Sequence, residues 1–303
     1  MDPLPPASPK ISVVIASVVG PPFIDECIAS VLAQRSAPQF EVLIVDCHGP
    51  ENVARLARQF PQVRFVQCKR RETVPYLRRL GVEHARGEIV AIIEEHCLAA
   101  DNWLAVIAHA FECDCAAVGG PVADYNYDRL RDWVTYFVEY NSYLPPWPEG
   151  ETWNLSGANL AYRRQVLLEN LDCLNDGYWE ATLHPRLLAG GARFRSVPQM
   201  AVYHRGPFNY GYYLRQRYLF SRAFSGARRS TLSRTQRVLY LLAAPALPFL
   251  LLLRMASRVW VKRCHFGKFI AALPLLIPAI TTYVIGEWVG YAFGPGHALL
   301  EVE

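Results

Sequence analysis

The chain has no C-x-x-C pair, no G-x-G-x-x-G run and no G-K-S or G-K-T loop. The first absence argues against a zinc site or a dithiol redox centre, and we expect the eight scattered cysteines to be reduced. The missing glycine motifs argue against a dinucleotide fold for hydride transfer and against a P-loop. Charged residues make up only 19% of the 303 positions and hydrophobic residues 52%, which excludes a disordered chain and a coiled coil.

Acidic residues are absent between Gly211 and Gly286. Residues 1–210 carry 19 Lys and Arg against 24 Asp and Glu, a net charge of −5, whereas residues 211–303 carry 12 against 3, a net charge of +9. A basic, apolar segment of this kind is more typical of an anionic membrane surface than of nucleic acid, so we expect a membrane and no nucleic acid as partner.

The first ten residues lack a hydrophobic run preceded by positive charge, so we expect no secretory signal and a cytosolic catalytic face.

Short apolar runs alternate with amphipathic stretches from residue 11 onward, which predicts parallel βα units. The predicted strands are mostly apolar, as expected when helices cover both faces, and span residues 11–16, 41–46, 64–67 and 89–93. The apolar spacing predicts helices over residues 23–33, 53–60 and 73–85. Thr73 is the expected cap of the third helix.

Polar residues stand at the ends of three of these strands: Ser17, Asp46 and Glu94. Ligands of open α/β sheets bind at the carboxyl edge of the strands. Glu94, Glu95 and His96 place two carboxylates and an imidazole at that edge, and such donors can hold Mg²⁺ or Mn²⁺ beside a nucleotide diphosphate. The alternative reading is a solvated turn after a strand.

The later sequence predicts strands over residues 116–119, 194–197 and 201–203 and helices over residues 130–141 and 179–189. Beyond residue 210 follow two uncharged apolar runs, residues 238–253 and 269–286. As helices they would be roughly 24 and 27 Å long, which is marginal against a hydrocarbon core of about 30 Å.

Basic residues separate the two apolar runs, and prolines interrupt both. In a spanning hairpin with a cytosolic catalytic domain, the five basic residues would face outward, contrary to the positive-inside tendency. Those residues are Arg254, Arg258, Lys262, Arg263 and Lys268. The main arrangements that stay open are a spanning hairpin and a re-entrant or interfacial pair of helices, with core helices of a soluble domain behind them.

Several sequence motifs follow one another along the chain. The first three are ISVVIAS, QFEVLIVD and LRRLGVEHARGEIVAIIEEH, and the later two are NLSGANLAYRR and WEATLHPRLLAGGARFRSVPQMAVYH. Their order resembles the family-2 glycosyltransferases of GT-A fold, in which a first strand with a small-residue turn precedes a second strand ending in Asp, an ARNxGxxxAxGE segment and a strand ending in a DxD-type motif. The later two motifs resemble the acceptor-side half of that domain. The resemblance covers about residues 10–205 and implies an α/β GT-A fold with a mainly parallel central sheet.

The resemblance implies a nucleotide-sugar site at the edge of the sheet. Ala16 and Ser17 would edge the nucleotide pocket, and Asp46 would hydrogen-bond the base. Arg78 would contact the diphosphate or orient the carboxylates, and Glu94 would face the ribose or the metal. The competing interpretations are that Asp46 caps the following turn or helix and that Arg78 is a surface charge.

The resemblance also implies a metal site and a catalytic base. Glu95 or His96 would complete the coordination of Mg²⁺ or Mn²⁺, and His204 would close the metal site. Because Glu-Glu-His replaces DxD, the identity of the cation stays open. Glu180 would be the general base that deprotonates the acceptor hydroxyl, although a carboxylate near a helix start can simply favour the helix dipole. Likewise, His204 can be a buried histidine at a strand end.

The resulting hypothesis is a membrane-associated, inverting glycosyltransferase that moves a sugar from a nucleotide diphosphate to a lipid-linked or cell-envelope acceptor. It divides the chain into an extension (residues 1–10), a GT-A domain with a nucleotide half (11–100) and an acceptor half (101–210), and a basic, apolar helical region (211–303). The alternative hypothesis is a non-catalytic membrane scaffold that keeps the fold. A nucleotidyltransferase is a third reading, but no phosphate-gripping signature near Ser17 supports it.

Overall fold

The computed structural model describes residues 8–175, 177–206 and 209–302, so most of the predicted N-terminal extension lies outside the described residues. The strands are β1 (Ile11–Ser17), β2 (Phe40–Asp46), β3 (Arg64–Gln67), β4 (Ile89–Ile93), β5 (Cys97–Ala99), β6 (Ala117–Gly119), β7 (Val122–Asp124), β8 (Gly150–Thr152), β9 (Asn159–Arg163), β10 (Phe194–Ser196) and β11 (Val202–His204). The α-helices are α1 (Phe23–Leu32), α2 (Pro50–Gln59), α3 (Val74–His84), α4 (Trp103–Ala110), α5 (Leu130–Tyr140), α6 (Arg164–Leu168), α7 (Leu183–Ala189), α8 (Tyr210–Arg228), α9 (Arg234–Ala243), α10 (Leu247–Lys262), α11 (Phe266–Phe293) and α12 (Ala298–Glu301).

The central sheet has eight strands in the order β3-β2-β1-β4-β9-β6-β10-β8. Its first four strands are parallel, whereas β9 runs antiparallel to β4 and β6. A second sheet has the order β5-β11-β7 and pairs His204 with Cys97, one residue after His96. The predicted α/β class with a mainly parallel central sheet is confirmed.

The N-terminal elements match the prediction because their side-chain patterns are unambiguous. Every residue of β1 and β4 is buried, as the continuous apolar runs predict for strands covered on both faces. The hydroxyl of Thr73 accepts a hydrogen bond from the Tyr76 amide at 3.3 Å, so Thr73 caps α3 as predicted. The sheet therefore brings the ends of β1, β2 and β4 to one edge.

The acceptor half departs from the prediction at the segment before α7. The apolar pattern predicts a helix from residue 179, but α7 begins at Leu183. Trp179 is buried and its indole N–H donates to the Leu174 carbonyl, while the amides of Ala181 and Thr182 bond to Tyr178. This packing forms a turn, and Glu180 lies on that turn rather than in the helix.

The long C-terminal helix α11 packs against α5 and α8. The start of α11 packs on α5, where Phe137 and Phe269 make an edge contact at 5.3 Å between ring centroids. Farther along, α11 packs on α8 through Gly286 and Gly290, where a Cβ atom would overlap Ser221, Ser225 and the backbone of α8. Close packing of two helix backbones thus fixes α11 on the domain.

The contact between α8 and α11 leads to a stability prediction. A methyl group at Gly290 would overlap the Ser225 hydroxyl and the Arg222 carbonyl, so we expect Gly290→Ala to destabilise the fold by about 1–3 kcal/mol. In Gly267→Ala the same change falls at the start of α11, where nothing lies within 4 Å of the added atom. Thermal unfolding of the purified proteins measures the difference, and equal midpoints for the two variants would contradict the close packing.

Candidate active site

A cavity of about 450 Å³ lies at the carboxyl edge of β1 and β4. The sheet contributes Ala16, Ile93 and Glu94 to its wall, and the loop before β9 contributes residues 156–158. The opposite wall comes from α5 and from the C-terminal helices α8, α10 and α11. The cavity is thus lined both by the predicted GT-A domain and by the predicted membrane region.

Glu94 is the carboxylate at the centre of this wall. Its Oε1 lies 3.5 Å from the Arg78 guanidinium, and its Oε2 lies 3.3 Å from His96 Nε2 and accepts a hydrogen bond from the Tyr140 hydroxyl at 2.9 Å. Burial by itself would raise the pKa of Glu94, but His96, Arg78 and Tyr140 together lower it to about 2. Glu94 is therefore a stable anion that faces the cavity.

Glu95 also borders the cavity and supports the loop that follows β1. Its Oε1 accepts the amides of Val18 and Val19, both at 2.6 Å, and its Oε2 accepts the amide of Gly20 at 2.9 Å. Burial raises the pKa of Glu95, while these three hydrogen bonds favour its charged form. Because both carboxylate oxygens of Glu95 accept backbone amides, this geometry fits a role in holding the loop after β1 better than a role as metal ligand. The metal-ligand role of Glu95 stays a prediction.

His96 and His204 lie next to each other beside Glu94. Their ring centroids are 5.1 Å apart, and the Tyr127 hydroxyl lies 2.6 Å from Nδ1 of His204. Burial opposes protonation of His96, but the hydrogen bond and charge of Glu94 raise its pKa. Burial and the neighbouring His96 hold the pKa of His204 well below its usual range. The pKa values of the two neighbouring histidines are therefore shifted in opposite directions.

The donor atoms at this edge fit a divalent cation. Ligand atoms of Glu94, His96 and Cys97 lie within 4.8 Å of one another. Burial raises the pKa of the Cys97 thiol well above its usual value. The carboxylate of Glu94 and the imidazole of His96 form a mixed oxygen and nitrogen set, which suits Mn²⁺ better than Mg²⁺, since Mg²⁺ prefers oxygen alone.

Glu180 enters the same cavity from the turn before α7. Its Oε1 accepts the amide of Gly157 at 2.6 Å, and the carbonyl of Gly157 accepts a hydrogen bond from Arg78 at 3.0 Å. A Cβ atom at Gly157 would overlap the ends of both side chains, so a larger residue at this position would displace them. Arg78 thus connects Glu94 to the glycine that holds Glu180, and the two carboxylates share one cavity.

Three predicted nucleotide-site residues lie at the strand ends, where the sequence places them. Ala16 lines the cavity, and Ser17 is fully buried next to it. Asp46 accepts hydrogen bonds from the amides of His48 and Gly49 and from the side chain of Asn52. These bonds favour the capping interpretation of Asp46, and its contact with a base stays a prediction.

The sequence did not predict the wall of the cavity that α5, α8 and α10 form. Tyr140 on α5 donates to Glu94, and Glu139 beside it pairs with Arg217 of α8 at 3.1 Å. Arg254 and Arg258 of α10 also line the cavity. No local pattern links these residues to Glu94, because more than 100 positions separate Arg217, Arg254 and Arg258 from it along the chain.

Comparisons with known proteins agree with this fold. Residues 12–171 match the model of glycosyl transferase family 2. Polypeptide N-acetylgalactosaminyltransferase 12 of Mus musculus is 31% identical over 150 residues, 45% of this chain and 24% of that protein. Glucosyl-dolichyl phosphate glucuronosyltransferase of Haloferax volcanii is 28% identical over 178 residues, 53% of this chain and 54% of that protein. The chain thus spans about a quarter of the first relative and about half of the second.

A solved structure extends the likeness through the C-terminal helices. The mannosyltransferase PcManGT from Pyrobaculum calidifontis, in complex with GDP-Man and Mn²⁺, superposes with a TM-score of 0.59 at 19% identity and covers 94% of this chain and 88% of its own. At this identity the match shows the fold alone. The family match covers just over half of the 303 residues and includes β1 to β4 with the Glu-Glu-His segment. The chain belongs to glycosyl transferase family 2.

Proposed function

We propose that this protein transfers a sugar from a nucleotide diphosphate to a hydroxyl group of a membrane-bound acceptor, with inversion at the anomeric carbon. The observation that carries the proposal is the pair of carboxylates, Glu94 and Glu180, in one cavity on either side of Arg78. One carboxylate is fixed as an anion for the donor side, and the other is placed to accept a proton. The fold match to a protein solved with GDP-Man and Mn²⁺ supports a nucleotide-sugar donor.

The donor is proposed to lie along the sheet edge. Ala16 and Ser17 would border the nucleotide, Asp46 would hydrogen-bond the base or hold the loop beside it, and Arg78 would face the diphosphate. Glu94 and His96 would hold Mn²⁺ or Mg²⁺, which supplies positive charge for the departing diphosphate. Glu95 would keep the loop after β1 in place, and His204 would support His96.

Glu180 is proposed as the general base. The acceptor oxygen attacks the anomeric carbon and forms the new glycosidic bond, while the bond from that carbon to the diphosphate oxygen breaks. The acceptor proton passes to Glu180, whose position is set by the amide of Gly157. A single in-line displacement of this kind inverts the configuration of the sugar.

The membrane part of the proposal rests on the surface of the C-terminal helices. Arg234–Lys262 and Phe266–Phe293 are long and apolar enough to cross a bilayer. Large apolar side chains there face outward, each at least 67% exposed: Leu242, Phe249, Leu253, Trp260, Val261 and Phe293. Exposed apolar area on a basic segment fits a bilayer with anionic lipids, so we propose a lipid-linked or cell-envelope acceptor at the cytosolic face of the membrane.

The contacts of these helices favour the interfacial arrangement over a spanning hairpin. At the junction of α10 and α11, His265 lies 3.1 Å from Asp124 and 4.7 Å from the ring of Trp133. After α11 the chain returns to the domain, where Arg71 donates to the Leu300 carbonyl at 2.9 Å. Because both ends of α11 contact the catalytic domain, we propose that α10 and α11 lie along the cytosolic leaflet. The basic residues between the apolar runs then stay on the cytosolic side.

A donor screen tests the proposed activity. Membranes containing the full chain are incubated with a panel of nucleotide sugars and a membrane lipid extract, and release of nucleoside diphosphate is measured. We expect release with at least one donor, and calorimetry with UDP and GDP should show tighter binding when Mn²⁺ is present. A chain that neither transfers nor hydrolyses any donor and binds no nucleotide would instead be the non-catalytic scaffold.

The proposed topology gives a prediction about Cys264, which lies at the junction of α10 and α11. If the helices lie along the cytosolic leaflet, Cys264 is on the same side as Cys173 of the catalytic domain. A membrane-impermeant maleimide should then spare both thiols in intact cells and modify both in inside-out vesicles, as read by peptide mass spectrometry. Denatured protein is the control for reactivity. Labelling of Cys264 in intact cells, with Cys173 protected, would mean that the helices span the membrane.

A further inference from the structure

Two arginines of α10 line the cavity without a carboxylate partner among the described residues. Arg254 and Arg258 lie one turn apart on the helix, and both line the cavity. Among the described residues, neither has a carboxylate within ion-pairing distance. Arg258 donates instead to the side-chain oxygen of Asn141 at the end of α5, which holds its guanidinium against the cavity wall.

The other arginines that line this cavity are paired. Arg78 faces Glu94, and Arg217 faces Glu139. A guanidinium without a carboxylate beside a cavity is suited to bind an anion from outside, and phosphate matches its planar set of donors. Arg254 and Arg258 therefore differ from Arg78 and Arg217, each of which faces a carboxylate.

The surface around the α10 arginines is apolar. Leu251 and Met255 come from α10 itself, Phe220 and Phe224 from α8, and Ile280 from α11. The same helices carry the exposed apolar residues that we propose face the bilayer. A ligand that suits this wall therefore combines an anionic head with a hydrocarbon chain.

We propose that Arg254 and Arg258 form a subsite for the phosphate of a lipid phosphate ester, the headgroup of the acceptor. This inference rests on the proposed function, because the cavity is taken to receive the acceptor opposite the sheet edge. The lipid chain would leave along α8 and α11, and the phosphate would hold the acceptor hydroxyl on the side of Glu180.

Binding measurements without any sugar donor test the subsite separately from the reaction. Purified full-length protein in detergent is titrated with geranylgeranyl phosphate, with geranylgeraniol and with inorganic phosphate, and binding is followed by thermophoresis. We expect the lipid phosphate to bind about tenfold or more tightly than the alcohol, and inorganic phosphate to bind weakly.

The variants Arg254→Gln and Arg258→Gln should each remove most of the preference for the lipid phosphate. Arg258→Lys keeps a charge at the cavity and should retain part of it, which separates loss of charge from misfolding. Arg234→Gln is the matched control, since Arg234 is an exposed basic residue on α9 outside the cavity lining. In the transfer assay, the α10 variants should raise the KM for the acceptor and leave the KM for the donor unchanged.

Three results would overturn the subsite: equal binding of the lipid phosphate and the alcohol, equal binding of inorganic and lipid phosphate, or an unchanged preference in both Gln variants. Equal binding of the lipid phosphate and the alcohol would mean that the protein does not recognise the phosphate. Equal binding of inorganic phosphate would mean that the site takes free phosphate, and an unchanged preference in the variants would mean that other residues bind the phosphate. Failure of the wild-type protein to transfer sugar would count against the proposed function alone, because the binding measurements do not depend on it.

Discussion

Glu180→Gln is expected to lower kcat by about 10²–10⁴-fold, the usual contribution of a positioned general base. The amide keeps the size of the side chain and an oxygen that can still accept the Gly157 amide, so the turn before α7 should be preserved. What is lost is the capacity to take the acceptor proton. Donor binding should be nearly unchanged, because Glu180 is proposed to act on the acceptor side.

Release of nucleoside diphosphate and transfer to the acceptor, measured at saturating donor, give this result. Glu169→Gln is the matched control, since Glu169 is an exposed carboxylate outside the cavity lining. If Glu180→Gln transferred sugar at the wild-type rate, another residue would have to be the general base, and Glu180 would not have the role that the family resemblance implies.

Glu94→Gln is expected to give the second large effect, a loss of about 10²–10³-fold in kcat. Glu94 is the anion that faces Arg78 and His96, and its low pKa, about 2, reflects how strongly these partners favour its charge. The amide removes the negative charge from the proposed cation site and leaves both partners uncompensated. Mn²⁺ should then no longer strengthen the binding of UDP or GDP.

Calorimetry with each nucleotide, with and without Mn²⁺, measures this loss directly. Glu83→Gln is a suitable control because Glu83 pairs with Arg79 on the outer face of α3, where an ion pair contributes little. A Glu94→Gln protein that kept the full enhancement by Mn²⁺ would place the cation elsewhere. The Glu94 side chain would then serve to orient Arg78 and Tyr140.

The sequence predicted the N-terminal elements well. The strand over residues 64–67 and the strand over residues 89–93 have the predicted bounds, and Thr73 caps α3 as expected. These elements depend on local periodicity and capping, which can be recognised from residues close together in the sequence. The family resemblance, which rests on motifs inside the same stretch, is confirmed by the family match.

Short elements and side-chain partners were harder to predict. Of the three-residue strands, β6, β10 and β11 were predicted to within one residue at each end, whereas β5, β7 and β8 were missed, because three residues are too few to establish a period. The sequence likewise could not show that Glu94 and Glu95, adjacent in the chain, have different partners: Glu94 contacts Arg78, His96 and Tyr140, whereas Glu95 accepts hydrogen bonds from the loop after β1.

By itself, the sequence determined the α/β class, the edge of the sheet that carries the carboxylates and the basic, apolar character of residues 211–303. The tertiary structure decided how these parts combine. It placed Glu180 beside Gly157 and Arg78, and it folded α8, α10 and α11 over the cavity rather than away from the domain. The physical reason is that periodicity encodes which face of an element is buried, whereas the partner of that face depends on packing between segments far apart in the chain.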